Sequence, residues 1–142
     1  MARRWRLAPL WAAGAVLTLL AVAGSATGTP RCEFRVYGPI EHNGTLFSKA
    51  TFHCAVSYQG ARARVAIQKR VQGHWMTVGQ TRRTIGIVAA RHYTVSTAVP
   101  CKPSNTFTGV KVRTYFTLKT SSGRVVLPSQ ADPALCRFDS GS

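Results

Sequence analysis

Apolar and polar residues alternate along several short runs of the chain, which is the pattern of half-buried β-strands. In the clearest run, Ala50–Tyr58, the even-numbered residues are mostly apolar and the odd-numbered residues are mostly polar. The pattern predicts seven strands: Cys32–Tyr37, Ala50–Tyr58, Ala63–Val71, Trp75–Gln80, Tyr93–Val99, Val110–Leu118 and Arg124–Leu127. No helical apolar period of useful length occurs beyond the first 26 residues. We therefore predict one all-β domain, a β-sandwich of about seven strands.

Turn-forming residues separate these runs. Gln72-Gly73 and Ser121-Ser122-Gly123 predict tight turns between neighbouring strands. Asn43-Gly44-Thr45 matches a glycosylation sequon, but we interpret Asn43-Gly44 as a turn. The pattern leaves two connecting loops, Pro39–Ser48 and Pro103–Gly109, and a loose C-terminal tail that starts at Asp132.

The first 26 residues have the three parts of a secretory signal peptide. Arg3, Arg4 and Arg6 precede an apolar stretch, and small residues that suit cleavage after Ala26 follow it. The alternative is a leader retained as a membrane anchor, although the stretch is slightly short for a span. We expect a leader helix at 1–26, cleavage, and a mature domain at 27–142 that is secreted, has no membrane segment and is associated at most with the cell wall.

All four cysteines lie beyond the leader, and an even count in a small exported domain predicts two disulfides. Three pairings exist, and we favour Cys32–Cys54 and Cys101–Cys136. The first would fix the first strand to the second, and the other would tie the chain end to the start of a late strand. No C-x-x-C motif is present, so a zinc site is the weaker alternative and we predict no metal and no cofactor.

Positive charge dominates the composition. The chain has 19 Lys and Arg residues against four acidic ones. Removing Arg3, Arg4 and Arg6 with the leader leaves 16 basic residues and a formal net charge of +12. Such a charge attracts polyanions, although a solubility function or a GC-rich genome would also account for it.

The exported part contains several short motifs in order: Gly73-His74-Trp75-Met76-Thr77-Val78, Cys101, Gly109-Val110-Lys111-Val112-Arg113-Thr114, Ser129 and Cys136. Together they resemble small secreted immunoglobulin-like or fibronectin-III-like proteins of high-GC Gram-positive bacteria. The resemblance covers most of the mature chain and implies an immunoglobulin-like sandwich and an exported protein, but no reaction. The strand Ala63–Val71 lacks the core Trp of antibody domains.

In an immunoglobulin-like topology, Ala63–Val71 and Val110–Leu118 would be adjacent strands of one sheet. Their outward residues would then form one basic face, which the strand Arg124–Leu127 extends through Arg124. The predicted anion-binding residues are Arg62, Arg64, Arg70, Lys111, Arg113, Tyr115 and Lys119. Arginine suits this chemistry because its guanidinium can contact phosphate or carboxylate with two hydrogen bonds.

The sequence contains no recognisable catalytic constellation, and we predict a protein that is not an enzyme. Two acidic residues lie near each end of the mature chain, and no Gly-x-Ser-x-Gly motif is present. His53 and His92 both point outward in the alternation pattern. We expect them about five residues out of step on neighbouring strands, roughly 16 Å apart, too far to share a metal ion.

Three functions remain open at this point. The first is a monomeric binding or structural module that docks through the basic face to an anionic cell-envelope polymer or an acidic protein, without specific nucleic-acid recognition. The second is an enzyme inhibitor or toxin-like effector that acts through the Pro39–Ser48 or Pro103–Gly109 loop. The third is a hydrolase, which would require a pocket that holds His53 or His92 beside Asp132.

Overall fold

A computed structural model describes residues 29–104, 110–134 and 136–138, which form ten β-strands and no helix. The longer strands are β1 (Cys32–His42), β2 (Thr45–Cys54), β3 (Tyr58–Val71), β4 (His74–Ile87), β5 (His92–Pro100), β7 (Lys111–Thr120) and β8 (Gly123–Pro128). The two-residue strands are β6 (Lys102–Pro103), β9 (Asp132–Pro133) and β10 (Cys136–Arg137). The predicted leader, its cleavage site and residues 105–109 of the predicted second loop lie outside the described residues.

The longer strands form two antiparallel sheets. The small sheet has the order β1-β2-β5, and the large sheet has the order β4-β3-β7-β8, with β9 also paired to β7. A separate short ladder joins β6 to β10. The sheets pack face to face through aromatic side chains: the Phe116 ring of β7 lies 5.8 Å from Phe34 of β1 and 5.7 Å from Phe52 of β2. The predicted all-β fold is confirmed as an immunoglobulin-like sandwich.

The core follows the predicted alternation. Every second residue of β7 from Val112 to Leu118 is buried, and Ala63, Val65 and Ile67 of β3 are buried with them. Ala50, Phe52 and Cys54 supply the small-sheet side of the same interior. A second cluster surrounds Ile67 and the Cys101–Cys136 pair. The central strands β2, β3 and β7 thus bury one face in the core, and basic side chains occupy much of the opposite face of the large sheet.

Both favoured disulfides are present, Cys32–Cys54 and Cys101–Cys136. Cys32 and Cys54 are direct partners in the β1–β2 ladder, so this bond fixes the first hairpin. The Cys101–Cys136 bond lies beside the β6–β10 ladder and fixes the C-terminal segment to the end of β5. Disulfides such as these form in oxidising compartments, which is the environment of an exported protein.

The turns agree with the sequence, but one predicted loop is wrong. Asn43 and Gly44 both have positive φ, and so do Gln72 and Gly73. Two-residue hairpin turns need this conformation to match the right-handed twist of the strands they join. Because the Asn43-Gly44 turn is this tight, the segment Pro39–Ser48 is a regular hairpin, with Ile40 opposite Phe47. The alternation there is interrupted by a bulge between Tyr37 and Ile40, which hid the strand.

Two strand boundaries and the tail also differ from the prediction. The predicted strand Ala50–Tyr58 ends at Cys54, and Tyr58 instead begins β3. β4 continues seven residues beyond the predicted end at Gln80, to Ile87. The predicted loose tail is paired where it is described: Val112 of β7 lies opposite Asp132, and β10 pairs with β6.

Candidate functional site

The centre of the large sheet brings the predicted basic residues together. β3 and β7 are direct neighbours, with Arg62 opposite Lys119 and Gln68 opposite Arg113. The intervening residues of both strands are buried in the core, so their basic neighbours project from the outer face. All seven predicted residues share this face: Arg62, Arg64 and Arg70 on β3, and Lys111, Arg113, Tyr115 and Lys119 on β7. We call the outer face of the large sheet the basic face.

One end of the basic face forms an open groove of about 500 Å³. Six cationic residues line it, together with Ala63, Thr84 and Thr117: Arg62, Arg64, Arg82, Arg83, Lys119 and Arg124. The acidic residues in the described part of the chain are Glu33, Glu41 and Asp132, and none of them lines the groove. The groove therefore concentrates positive charge, and none of the described acidic residues lies in it to neutralise that charge.

The other end of the basic face is a ladder of cations and aromatic rings. The guanidinium carbon of Arg113 lies 4.1 Å from the ring centroid of Trp75 and 5.5 Å from that of Tyr115. The guanidinium carbon of Arg64 lies 5.8 Å from the ring centroid of Tyr115, and that of Arg70 lies 6.0 Å from the ring centroid of Trp75. Cation–π contacts of this kind hold long side chains flat against the sheet.

Hydrogen bonds fix two of these guanidinium groups further. Nε of Arg64 donates to the Gln80 side-chain oxygen at 2.6 Å, and Nε of Arg113 donates to that of Gln68 at 2.9 Å. Each of these bonds uses only the Nε–H, so terminal N–H groups remain for a ligand, although one of them on Arg64 lies 3.4 Å from Thr77. The two arginines are thus positioned before any ligand arrives.

Arg113 has the strongest electrostatic perturbation of the basic face. Its partial burial lowers the pKa of the guanidinium from its ordinary value. The nearby Tyr115 opposes this shift, and the positive charge of Arg70 adds to it. An arginine stays protonated throughout the physiological range, so the consequence is not deprotonation but a cation whose charge is partly desolvated. An approaching anion would relieve that cost.

The sequence prediction missed two residues of the basic face, Trp75 and Arg82, and one further residue of the groove, Arg83, whose ladder partner is the inward-facing Ala63. Arg82, Arg83 and Trp75 all belong to β4, the edge strand of the large sheet. Trp75 lies opposite Arg70 and Arg82 lies opposite Arg64. Ile67 lies opposite Gly79 and Gln68 opposite Thr77, so β4 carries one extra residue there, which interrupts its alternation and led to a predicted end at Gln80. The run Thr81–Ile85 beyond it contains two adjacent arginines and no clear alternation, so it gave no signal that the strand continues.

The histidine prediction is wrong. His53 of β2 lies directly opposite His92 of β5, and the ring centroids are 4.6 Å apart. The error arose because β2 ends at Cys54 and β5 begins at His92, so the two residues share the last rung of the ladder. The depression beside them is lined by Glu33, not by the Asp132 that a hydrolase would have required. In the described part of the chain, no three His, Cys, Asp or Glu side chains converge as a metal centre.

Residues 29–104, 110–134 and 136–138 include no helix long and apolar enough to cross a membrane. No known family model matches the sequence, and no curated protein is significantly similar to it. Among solved structures, the chain is similar to the E. coli curli protein CsgC, with 10% identity, a TM-score of 0.42, and coverage of 75% of this chain and 100% of that one. This similarity concerns the outline of the fold only.

Proposed function

We propose that this protein is a binding module whose basic face docks to an anionic polymer or to an acidic protein surface. The observation that carries the proposal is the groove in which six Arg and Lys side chains converge with no described carboxylate among them. Like charges on adjacent strands destabilise a sheet by some tenths of a kcal/mol per pair. Arg62 opposite Lys119 and Arg64 opposite Arg82 are such pairs. An anionic ligand would offset this repulsion.

An extended ligand fits the geometry better than a small one. The groove is open to solvent and continues along the sheet into the arginine–aromatic ladder, whose guanidinium groups lie at successive positions. A polymer with repeated phosphate, sulfate or carboxylate groups could contact the groove and the ladder at once. Such binding would depend on many weak, charge-assisted contacts and would weaken as salt screens them.

The compartment we propose agrees with this chemistry. The leader pattern at 1–26 and the two disulfides favour an exported protein, whose ligands would be anionic polymers of the cell envelope or acidic extracellular proteins. The alternative is an inhibitor that acts through Pro39–Ser48, which is a hairpin of paired strands, or through Pro103–Gly109, of which residues 105–109 lie outside the described part of the chain. We favour the sheet as the binding surface because the positive charge converges there.

The test compares two triple variants with the same net charge. The groove variant carries Arg62→Ala, Arg82→Ala and Arg124→Ala, which avoids the ladder arginines that pack on aromatic rings. The control variant carries Arg31→Ala, Arg35→Ala and Arg91→Ala, three exposed residues that do not line the groove. Binding to polyphosphate and to polyglutamate is measured by titration calorimetry at low and at high NaCl, and circular dichroism checks the fold.

We expect the groove variant to lose about tenfold or more in affinity at low salt, because three exposed charges each contribute up to about 1 kcal/mol. The control variant should stay within about twofold, since only the net charge changes. Equal losses in the two variants would show that net charge alone drives binding, and the basic face would not be the site.

A further inference from the structure

We propose that His53 and His92 bind a divalent transition-metal ion, with Cu²⁺ as the preferred ion, on the outer face of the small sheet. This site is independent of the basic face, which belongs to the other sheet of the sandwich. The two imidazoles are the only direct protein ligands in the proposal, and water completes the coordination. The strand register, a neighbouring carboxylate and the space beside the rings support this site.

Strand pairing places the two rings within reach of one ion. His53 and His92 are direct partners in the β2–β5 ladder, and their ring centroids are 4.6 Å apart at an interplanar angle of 47°. Two imidazole nitrogens bound to one metal at 2.0–2.1 Å require ring positions of this order of separation. The backbone ladder fixes the two Cα positions, so only side-chain rotation is needed to form the site.

Glu33 of β1 continues the same rung and supplies a positioning carboxylate. Its Oε2 lies 3.3 Å from Nε2 of His53, and it is the ladder partner of that residue. When the carboxylate accepts the Nε2 proton, Nδ1 of His53 is left as the unprotonated nitrogen that a metal requires. A histidine ligand that is hydrogen-bonded to a carboxylate through its other nitrogen is a recurring arrangement in metal sites.

The surroundings leave room for water ligands. A depression of about 320 Å³ lies beside the rung, and both histidines and Glu33 line it. His53 is 35% exposed and Glu33 is 84% exposed, so the side chains can rotate toward an ion. Arg35 lines the same depression, and its positive charge opposes metal binding. Two imidazoles favour Cu²⁺ over Ni²⁺ and Zn²⁺ by the general order of divalent affinities.

The experiment uses Cu²⁺ as the probe and the two remaining histidines as matched controls. His53→Gln and His92→Gln remove the proposed ligands, whereas His42→Gln and His74→Gln remove exposed histidines elsewhere. Calorimetry gives affinity and stoichiometry, and NMR records paramagnetic broadening of each histidine ring. Thermal unfolding without metal establishes that each variant folds.

We expect one Cu²⁺ per chain, selective broadening of the His53 and His92 signals, and a loss of at least about tenfold in affinity for either ligand variant. Glu33→Gln should weaken binding by about tenfold, and Arg35→Gln should strengthen it. Unchanged binding in the His53 and His92 variants, or broadening of all four histidines alike, would overturn the proposal.

Discussion

The hydroxyl groups of Thr114 and Ser48 are hydrogen-bonded at 2.8 Å across the interior of the sandwich, Thr114 from β7 of the large sheet and Ser48 from β2 of the small sheet. Thr114 also bonds the backbone oxygen of Tyr37 on β1 at 2.5 Å. Thr114 is fully buried and Ser48 is 2% exposed. A single threonine thus links both sheets through polar contacts within an otherwise apolar core.

Replacing Thr114 with Val should destabilise the fold by about 1–3 kcal/mol. The substitution keeps the shape of the side chain but leaves the Tyr37 carbonyl and the Ser48 hydroxyl without this partner in a buried setting. Chemical denaturation measures the free energy of unfolding. Thr94→Val, at an exposed position of β5, is the control and should change it by no more than about 0.5 kcal/mol. Equal effects at both positions would show that the buried bond contributes nothing.

Phe116 is the aromatic centre of the core, and Phe116→Ala should cost about 3–5 kcal/mol in the free energy of unfolding. The side chain is fully buried, and the rings of Phe34 and Phe52 from the small sheet pack against it. Its removal would leave a cavity between the sheets. Phe116→Leu keeps most of the volume and should cost clearly less. If the Ala and Leu variants were equally stable, the ring would not be a packing element.

Each disulfide should contribute about 3–4 kcal/mol of stability. The bonds close loops with sequence separations of 22 and 35 residues, and this estimate follows from the entropy that loop closure removes from the unfolded chain. We would compare the free energy of unfolding of the double variants Cys32→Ser/Cys54→Ser and Cys101→Ser/Cys136→Ser with that of the oxidised protein. A variant as stable as the oxidised protein would contradict the estimate for that bond.

Gly73→Ala should destabilise the protein by about 1–2 kcal/mol, because Gly73 holds a φ of +80° in the β3–β4 turn. No atom lies within 4 Å of a methyl group added there, so backbone strain would be the whole effect. Gly86→Ala is the matched control, because its added methyl group is equally free and its φ is not positive. Thermal unfolding should separate the two variants, with Gly86→Ala neutral or slightly stabilising.

The elements that could be predicted from the sequence are those fixed by local rules. Alternation identified the buried face of β7 because its neighbours pair on both sides without a bulge. The glycines of Asn43-Gly44 and Gln72-Gly73 marked two turns, and the structure gives positive φ to all four residues. The disulfide pairing that the structure contains is the one favoured among the three that the sequence allows. The strand pattern and the turns depend on residues that are close together in the sequence.

What could not be predicted depends on register, which is a long-range property. The bulges on β1 and β4 shift the alternation by one residue, so the predicted strands were cut short there. For the same reason Arg82 was not assigned to the basic face. The juxtaposition of His53 and His92 required the exact ends of β2 and β5, and an error of a few residues in register changed a contact into a distance of roughly 16 Å.

The position of Arg82 and Arg83 has a consequence for self-association. β4 is an edge strand of 14 residues, and a long unpaired edge is a template on which a second copy could add its own strand. If two copies paired along this edge, Arg82 and Arg83 of one copy would lie close to positive side chains of the other, and the like charges would repel. We therefore expect the cations that line the groove to disfavour edge-to-edge aggregation by electrostatic repulsion. An anion that neutralised them would weaken this protection at the same moment that it bound.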